Sequence, residues 1–226
     1  MIHFIGGEKG GVGKSVVSRC LAQYFIDNNR SFMGYDADRS HQSFLRFYED
    51  FGLPLNIDSF DGLDSMIESF PEGGKDEILI DLAAQSIQPL MKWIQESDVV
   101  QISSDLGITL NFWHVMDDSR DSVHLLEKLI HSFDERVKII PVLNYGRGLD
   151  FSILESSHVK DLMIQKNIPV IRINKLYEKT MQKIDRDNIS FWAAIHNTDL
   201  SLGLFERQRV KSWLKNVYGE FIKYNI

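Results

Sequence analysis

Residues 2–28 read IHFIGGEKGGVGKSVVSRCLAQYFIDN, and the order of residue types in that stretch decides the fold. Residues 3–6 form a short apolar run of strand character ending in a glycine. Residues 15–28 then set Val16, Val17, Cys20, Leu21, Tyr24 and Phe25 on one face at helical spacing. Between the two lies Lys9-Gly10-Gly11-Val12-Gly13-Lys14-Ser15. A glycine-rich loop joining a strand to a helix is the context of a phosphate loop. Its glycines let the backbone curl so that successive N–H groups, from Lys9 through Gly10, Gly11, Val12, Gly13, Lys14 and Ser15 to Val16, point inward at phosphate oxygens. The helix N-terminus adds partial positive charge. In such a loop Lys14 lies against the β- and γ-phosphates of ATP, and the Ser15 hydroxyl ligates Mg2+. The usual pattern G-x-x-x-x-G-K-[ST] is met by Gly13-Lys14-Ser15 and broken at its first position, which is Glu8.

Working outward, strand-like and helix-like segments alternate along the chain. Residues 31–36, 77–82, 99–103, 137–143 and 169–173 read as further strands. Residues 43–51, 87–96, 109–133 and 153–166 read as helices, the first of them stopped by Gly52 and Pro54. Strands alternating with crossover helices predict an α/β fold: a doubly wound, mostly parallel sheet with helices on both faces. No repeat or linker divides the chain, so residues 1–226 are expected to form a single P-loop domain, with Gly73-Gly74 as a loop inside it.

The composition fits that picture. The chain has 226 residues, 43% hydrophobic and 25% charged, as in soluble globular proteins. No apolar run approaches the roughly 20 residues that span a bilayer, and the N-terminus is too short and uncharged for a signal peptide. The single cysteine, Cys20, rules out an intrachain disulfide and suits a reducing cytoplasm. The net charge of −7 is uneven: residues 1–135 carry 10 Lys+Arg against 23 Asp+Glu, and residues 136–188 carry 10 against 6. The acidic whole does not favour nonspecific DNA binding, while residues 136–188 form either a basic face open to DNA or an ordinary solvated surface.

The second lysine of Lys9-Gly10-Gly11-Val12-Gly13-Lys14-Ser15 resembles the deviant Walker A motif of the ParA/MinD family of ATPases. The resemblance implies an ATP-dependent homodimer in which Lys9 reaches the partner's phosphates and stabilises transition-state charge. The bland reading of Lys9 is a solvent lysine beside the loop. Tyr35-Asp36-Ala37-Asp38 matches the family's Asp-x-Asp. This implies that Asp36 activates the attacking water and approaches the metal, with Asp38 in support. Glu77-Ile78-Leu79-Ile80-Asp81 delivers one carboxylate to the sheet's C-terminal edge, where open α/β sheets bind ligands. Asp81 matches the Walker B aspartate that holds Mg2+ through water. The following Leu82-Ala83-Ala84-Gln85 departs from the family's proline-containing segment. Asn144, after Ile139-Ile140-Pro141-Val142-Leu143, stands where the family often reads the adenine edge, although asparagine also suits a strand-end turn.

Missing features narrow the branch. One cysteine cannot supply a shared iron–sulfur cluster, the seven histidines show no ligand spacing, and there is one phosphate loop where an anion pump has two. Residues 207–224 place Val210, Trp213, Leu214, Val217 and Phe221 on one stripe, which packs on the sheet in the favoured reading and lies on a membrane in the other. The stretch from Arg172-Ile173-Asn174 through Lys183-Ile184-Asp185, then residues 191–195, then Glu206-Arg207-Gln208-Arg209-Val210-Lys211, is loosely similar to the C-terminal layout of plasmid transfer and mobilisation relatives of the TraL type. The expected output is a slow, partner-stimulated ATPase acting as a dimeric switch that positions or partitions DNA or a protein cargo. The alternatives are an ATP-dependent ligase or kinase for a small molecule, and a nucleotide-holding scaffold without turnover.

Overall fold

The computed structural model describes residues 1–39, 41–69 and 77–226. Seven parallel strands form one sheet in the order β3-β2-β4-β1-β5-β6-β7. They are β1 (Ile2–Gly6), β2 (Phe32–Asp36), β3 (Gly52–Pro54), β4 (Glu77–Asp81), β5 (Leu110–Met116), β6 (Lys138–Asn144) and β7 (Ile171–Ile173). The chain winds outward from the central β1 to β2 and β3, returns to insert β4 beside β1, and winds outward again through β5 to β7. β1 and β4 are buried at every residue, as expected of strands covered on both faces.

Helices cover both faces. On one, α2 (Phe60–Glu68), α3 (Ile87–Glu96), α4 (Val99–Asp105), α5 (Arg120–Ser132), α6 (Ser152–Glu155) and α7 (His158–Gln165) pack over Phe4, Ile80, Phe112 and Leu143. On the other, α1 (Lys14–Asp27), α8 (Glu178–Arg186), α9 (Phe191–His196) and α10 (Leu204–Lys223) pack over Ile5, Leu79, Trp113 and Val142. The C-terminal stripe belongs to this second core: Val210, Trp213, Leu214, Val217 and Phe221 are the buried residues of α10. Trp213 also donates to the Asn174 carbonyl at 2.6 Å, and the Tyr218 hydroxyl to Asp27 at 2.7 Å. Among the described residues no helix is long and apolar enough to cross a membrane.

Four segments depart from the sequence reading. Residues 99–103, expected as a strand, are α4. A short apolar run fits either element, and here Val99, Val100 and Ser103 are buried while Ile102 is exposed, a helical arrangement. Residues 109–133, expected as one helix, hold β5, a turn and α5. All seven β5 residues are buried, so the alternation that marks a half-exposed strand is absent. Ser119 ends the turn and caps α5, accepting the Ser122 N–H. Residues 43–51, expected as a helix, are turns and a 3-10 segment, Glu49–Phe51. The 153–166 helix is divided into α6 and α7 at Ser156-Ser157. The Gly73-Gly74 loop lies outside the described residues.

Candidate phosphate-loop site

β1 ends at Gly6 and α1 begins at Lys14, so residues 7–13 cross the C-terminal edge of the sheet. The loop turns through left-handed backbone at Gly11 (φ 80) and Gly13 (φ 97), a region glycine enters at little cost. Gly13 is pressed from outside as well: a Cβ there would lie 2.1 Å from Asn144 Nδ2. Val12 is buried and anchors the loop in the second core. The Lys14 and Ser15 N–H groups open α1 without intrahelical acceptors, while the Val16 N–H donates to the Gly13 carbonyl at 3.1 Å.

The side chains singled out in the sequence converge on this edge to different degrees. Lys14 is buried, and its Nζ donates to the Lys9 carbonyl at 3.3 Å, folding back across the loop. Burial lowers its pKa, against the pull of Asp81, Asp38 and Glu8. Asp81 stands in register with Asp36 on one side and Ile5 on the other. Its Oδ1 accepts the Ser18 hydroxyl at 2.9 Å, and its buried Oδ2 has no protein partner among the described residues. Burial, and then the charge of Asp36, push its carboxyl up to about 7, while the Ser15 and Ser18 hydroxyls oppose the shift.

Asp36 braces the chain that follows it. Its Oδ1 accepts the Asp38 N–H at 2.9 Å, and its Oδ2 accepts those of Phe44 at 2.8 Å and Leu45 at 3.1 Å. Burial raises its pKa and these three N–H groups pull it down. These bonds wind residues 43–47 into turns where the sequence suggested a helix. Asp38 accepts the His41 N–H at 3.1 Å.

Asn144 locks the loop. Its Nδ2 donates to the Val12 carbonyl at 2.7 Å, and its Oδ1 accepts the Gly146 N–H at 2.9 Å. In this state its amide reads the phosphate loop itself. Lys9 reaches sideways to the end of β5, its Nζ donating to Asp117 at 2.7 Å and to Ser119 at 3.1 Å. Asp117 also accepts the hydroxyls of Ser119 and Ser122. Its carboxyl sits well below the usual range: burial opposes this, and the Lys9 ammonium and the two hydroxyls outweigh it. The Lys9 side chain is still 41% exposed.

No protein-family model matches the chain. A protein TraL from Escherichia coli is 24% identical over 226 residues, covering 93% of this chain and 92% of that one. A protein MobD from Acidithiobacillus ferrooxidans is 21% identical over 199 residues, covering 86% of each. Among solved structures, the MinD cell division protein of Aquifex aeolicus superposes with a TM-score of 0.56 at 15% identity over 97% of both chains. A ParA family ATPase from Chlorobium tepidum gives 0.51 at 14%, covering 95% of this chain and 97% of that one. A nucleotide-binding protein of Archaeoglobus fulgidus in complex with ADP gives 0.53 at 16%, covering 83% and 86%. The fold is that of the ParA/MinD-type P-loop proteins.

The donor set at Asp81 fits a hard divalent cation. An unpartnered, buried carboxylate oxygen beside a serine hydroxyl is an oxygen site of the kind Mg2+ prefers. Among the described residues no three His, Cys, Asp or Glu side chains converge as a metal cage. Ser15 and Asp81 are the oxygen donors that this edge offers to such an ion. Cys20 is a core thiol, its pKa raised by burial. His3 and His114 are buried structural side chains bonded to Glu77 and to the Ser122 carbonyl. Of the ten basic residues in 136–188, seven pair with a carboxylate of the same chain, so a DNA backbone would compete with those partners.

The sequence reading missed the Asp117–Ser119–Ser122 cradle because it lies inside the segment read as one helix. Asp117-Asp118-Ser119 was its available signal: two acids and a capping serine interrupting the apolar pattern. It also missed Arg147, an exposed side chain whose Cγ lies 3.7 Å from the position of a Gly13 Cβ, over the loop.

Proposed function

We propose that the protein binds ATP with Mg2+ and hydrolyses it to ADP and phosphate, and that this turnover times a homodimer that positions a plasmid-related DNA or protein cargo. One observation carries the reading. A glycine loop with two left-handed turns, a buried lysine, and the in-register carboxylates Asp36 and Asp81 share one edge of a parallel sheet. Phosphates would take the N–H groups of residues 10–16 and draw Lys14 Nζ off the Lys9 carbonyl. Ser15 and Asp81 would hold Mg2+, which neutralises charge on the β- and γ-oxygens when bound. Asp36 spends three of roughly four carboxylate acceptor positions on backbone N–H groups, leaving one to orient water. Lys9 is exposed enough to exchange Asp117 for a partner's phosphates. The likeness to the ADP-bound and ParA/MinD-type structures supports nucleotide binding, and the TraL and MobD likenesses favour the plasmid setting. With most cations of 136–188 paired, a protein activator is preferred to DNA.

The test is phosphate release from Mg2+-ATP with and without double-stranded DNA, followed beside sedimentation, for the wild type and Lys14→Ala. Loss of nucleotide binding in Lys14→Ala is expected. Unchanged affinity would sink the assignment of the loop.

A further inference from the structure

Glu8 occupies the position where the usual loop has glycine, and the structure gives its side chain a partner. Its Oε1 accepts the backbone N–H of Ile87 at 3.1 Å, 79 residues along the chain. Ile87 is the first residue of α3. The preceding Ser86 does not cap the helix, because its hydroxyl donates to the Ala83 carbonyl at 2.8 Å. The phosphate loop therefore supplies the N-terminal acceptor of α3, and a carboxylate there also faces the positive end of the helix dipole. The connection between Asp81 and α3 is short and shaped by the same neighbourhood. Leu82 N–H bonds the Ile5 carbonyl at 3.0 Å, and Gln85 is left-handed with φ 60. Glu8, Ala83, Ser86 and Ile87 line one small cavity. Glu8 is also close enough to Lys14 for its charge to act on that ammonium.

We propose that Glu8 is a positioning residue that couples the phosphate loop to α3, its carboxylate holding the α3 N-terminus from within the loop that receives the phosphates. This rests on the loop binding nucleotide as above. Arriving phosphates take Lys14 and repel the like charge of Glu8. The carboxylate is then pressed toward the α3 N-terminus, and the first turn of α3 tightens. The residue that departs from the usual pattern thereby reports occupancy of the loop to the segment after Asp81.

The test is hydrogen exchange across the first turn of α3, with and without Mg2+-ADP and a non-hydrolysable ATP analogue, beside calorimetric affinities. The wild type is expected to slow about tenfold on nucleotide binding. Glu8→Ala should exchange faster at rest and show no slowing, with its affinity within about threefold of wild type. Glu8→Gln keeps an acceptor without the charge, so it should keep resting protection and lose the response; it carries the same test if Glu8→Ala fails to fold. A wild-type response in both variants overturns the coupling. So does nucleotide binding by the wild type with an unresponsive α3, which leaves the loop assignment standing. No nucleotide binding by the wild type overturns that assignment and the coupling with it.

Discussion

Asp81→Asn tests the electrostatics of the site without disturbing its shape. Asp81 is buried, in register with Asp36, and keeps one oxygen without a protein partner among the described residues. Burial, with Asp36 second, pushes its carboxyl from 3.8 up to about 7. In the unfolded chain it titrates at its ordinary value. Across that window the folded chain holds a proton that the unfolded chain has released, so stability falls as pH rises and levels off above the folded value. At 1.36 kcal/mol per unit, the nucleotide-free fold loses about 2 kcal/mol to Asp81 at about pH 5 and about 4 kcal/mol at about pH 8. Relative to Asp81→Asn, which keeps an oxygen to accept from Ser18, the wild type should therefore lose about 2–3 kcal/mol between those conditions. Urea unfolding of both proteins at both pH values measures this, provided the denaturant slopes agree. Mg2+ with nucleotide should flatten the wild-type profile by placing positive charge against the free oxygen. A wild-type-minus-variant difference that stays constant with pH would refute the reasoning.

Lys9→Ala should leave nucleotide affinity within about threefold and cut phosphate release at least about 100-fold; wild-type turnover would confine Lys9 to its contact with Asp117. Gly13→Ala combines a left-handed φ of 97 with a clash on Asn144, and should cost about 2–4 kcal/mol in urea unfolding. The added substitution Asn144→Ala should recover part of that cost, and strict additivity would argue against the clash. Phe221→Ala empties a fully buried position where α10 meets Trp113 and Tyr24, with an expected loss of about 3–5 kcal/mol. A loss under about 1 kcal/mol would mean α10 is only loosely docked.

The parts of this protein legible in its sequence are those fixed by local rules. Left-handed turns at Gly11 and Gly13 require glycine, a helix must open at Lys14, and a wholly apolar strand can present Asp81 only at its end. Those constraints marked the parallel α/β class and the sheet edge where Asp36 and Asp81 meet. The stripe of α10 was legible too, since helical spacing predicts which face is buried.

Tertiary structure alone decided the rest. β5 lies inside the sheet and is buried on both faces, so it carries no alternation to separate it from α5. The run at Val99 could have been either element until packing left Ile102 outside. The partners of Glu8 and Lys9 lie 79 and 108 residues away, and no spacing rule reaches that far. Asn144 and Asp36 were visible as polar residues at strand ends, but their bonds to the Val12 carbonyl and to the Phe44 and Leu45 N–H groups depend on how the loops fold back. A side chain's type is local, whereas its partner is set by the packing of the whole sheet.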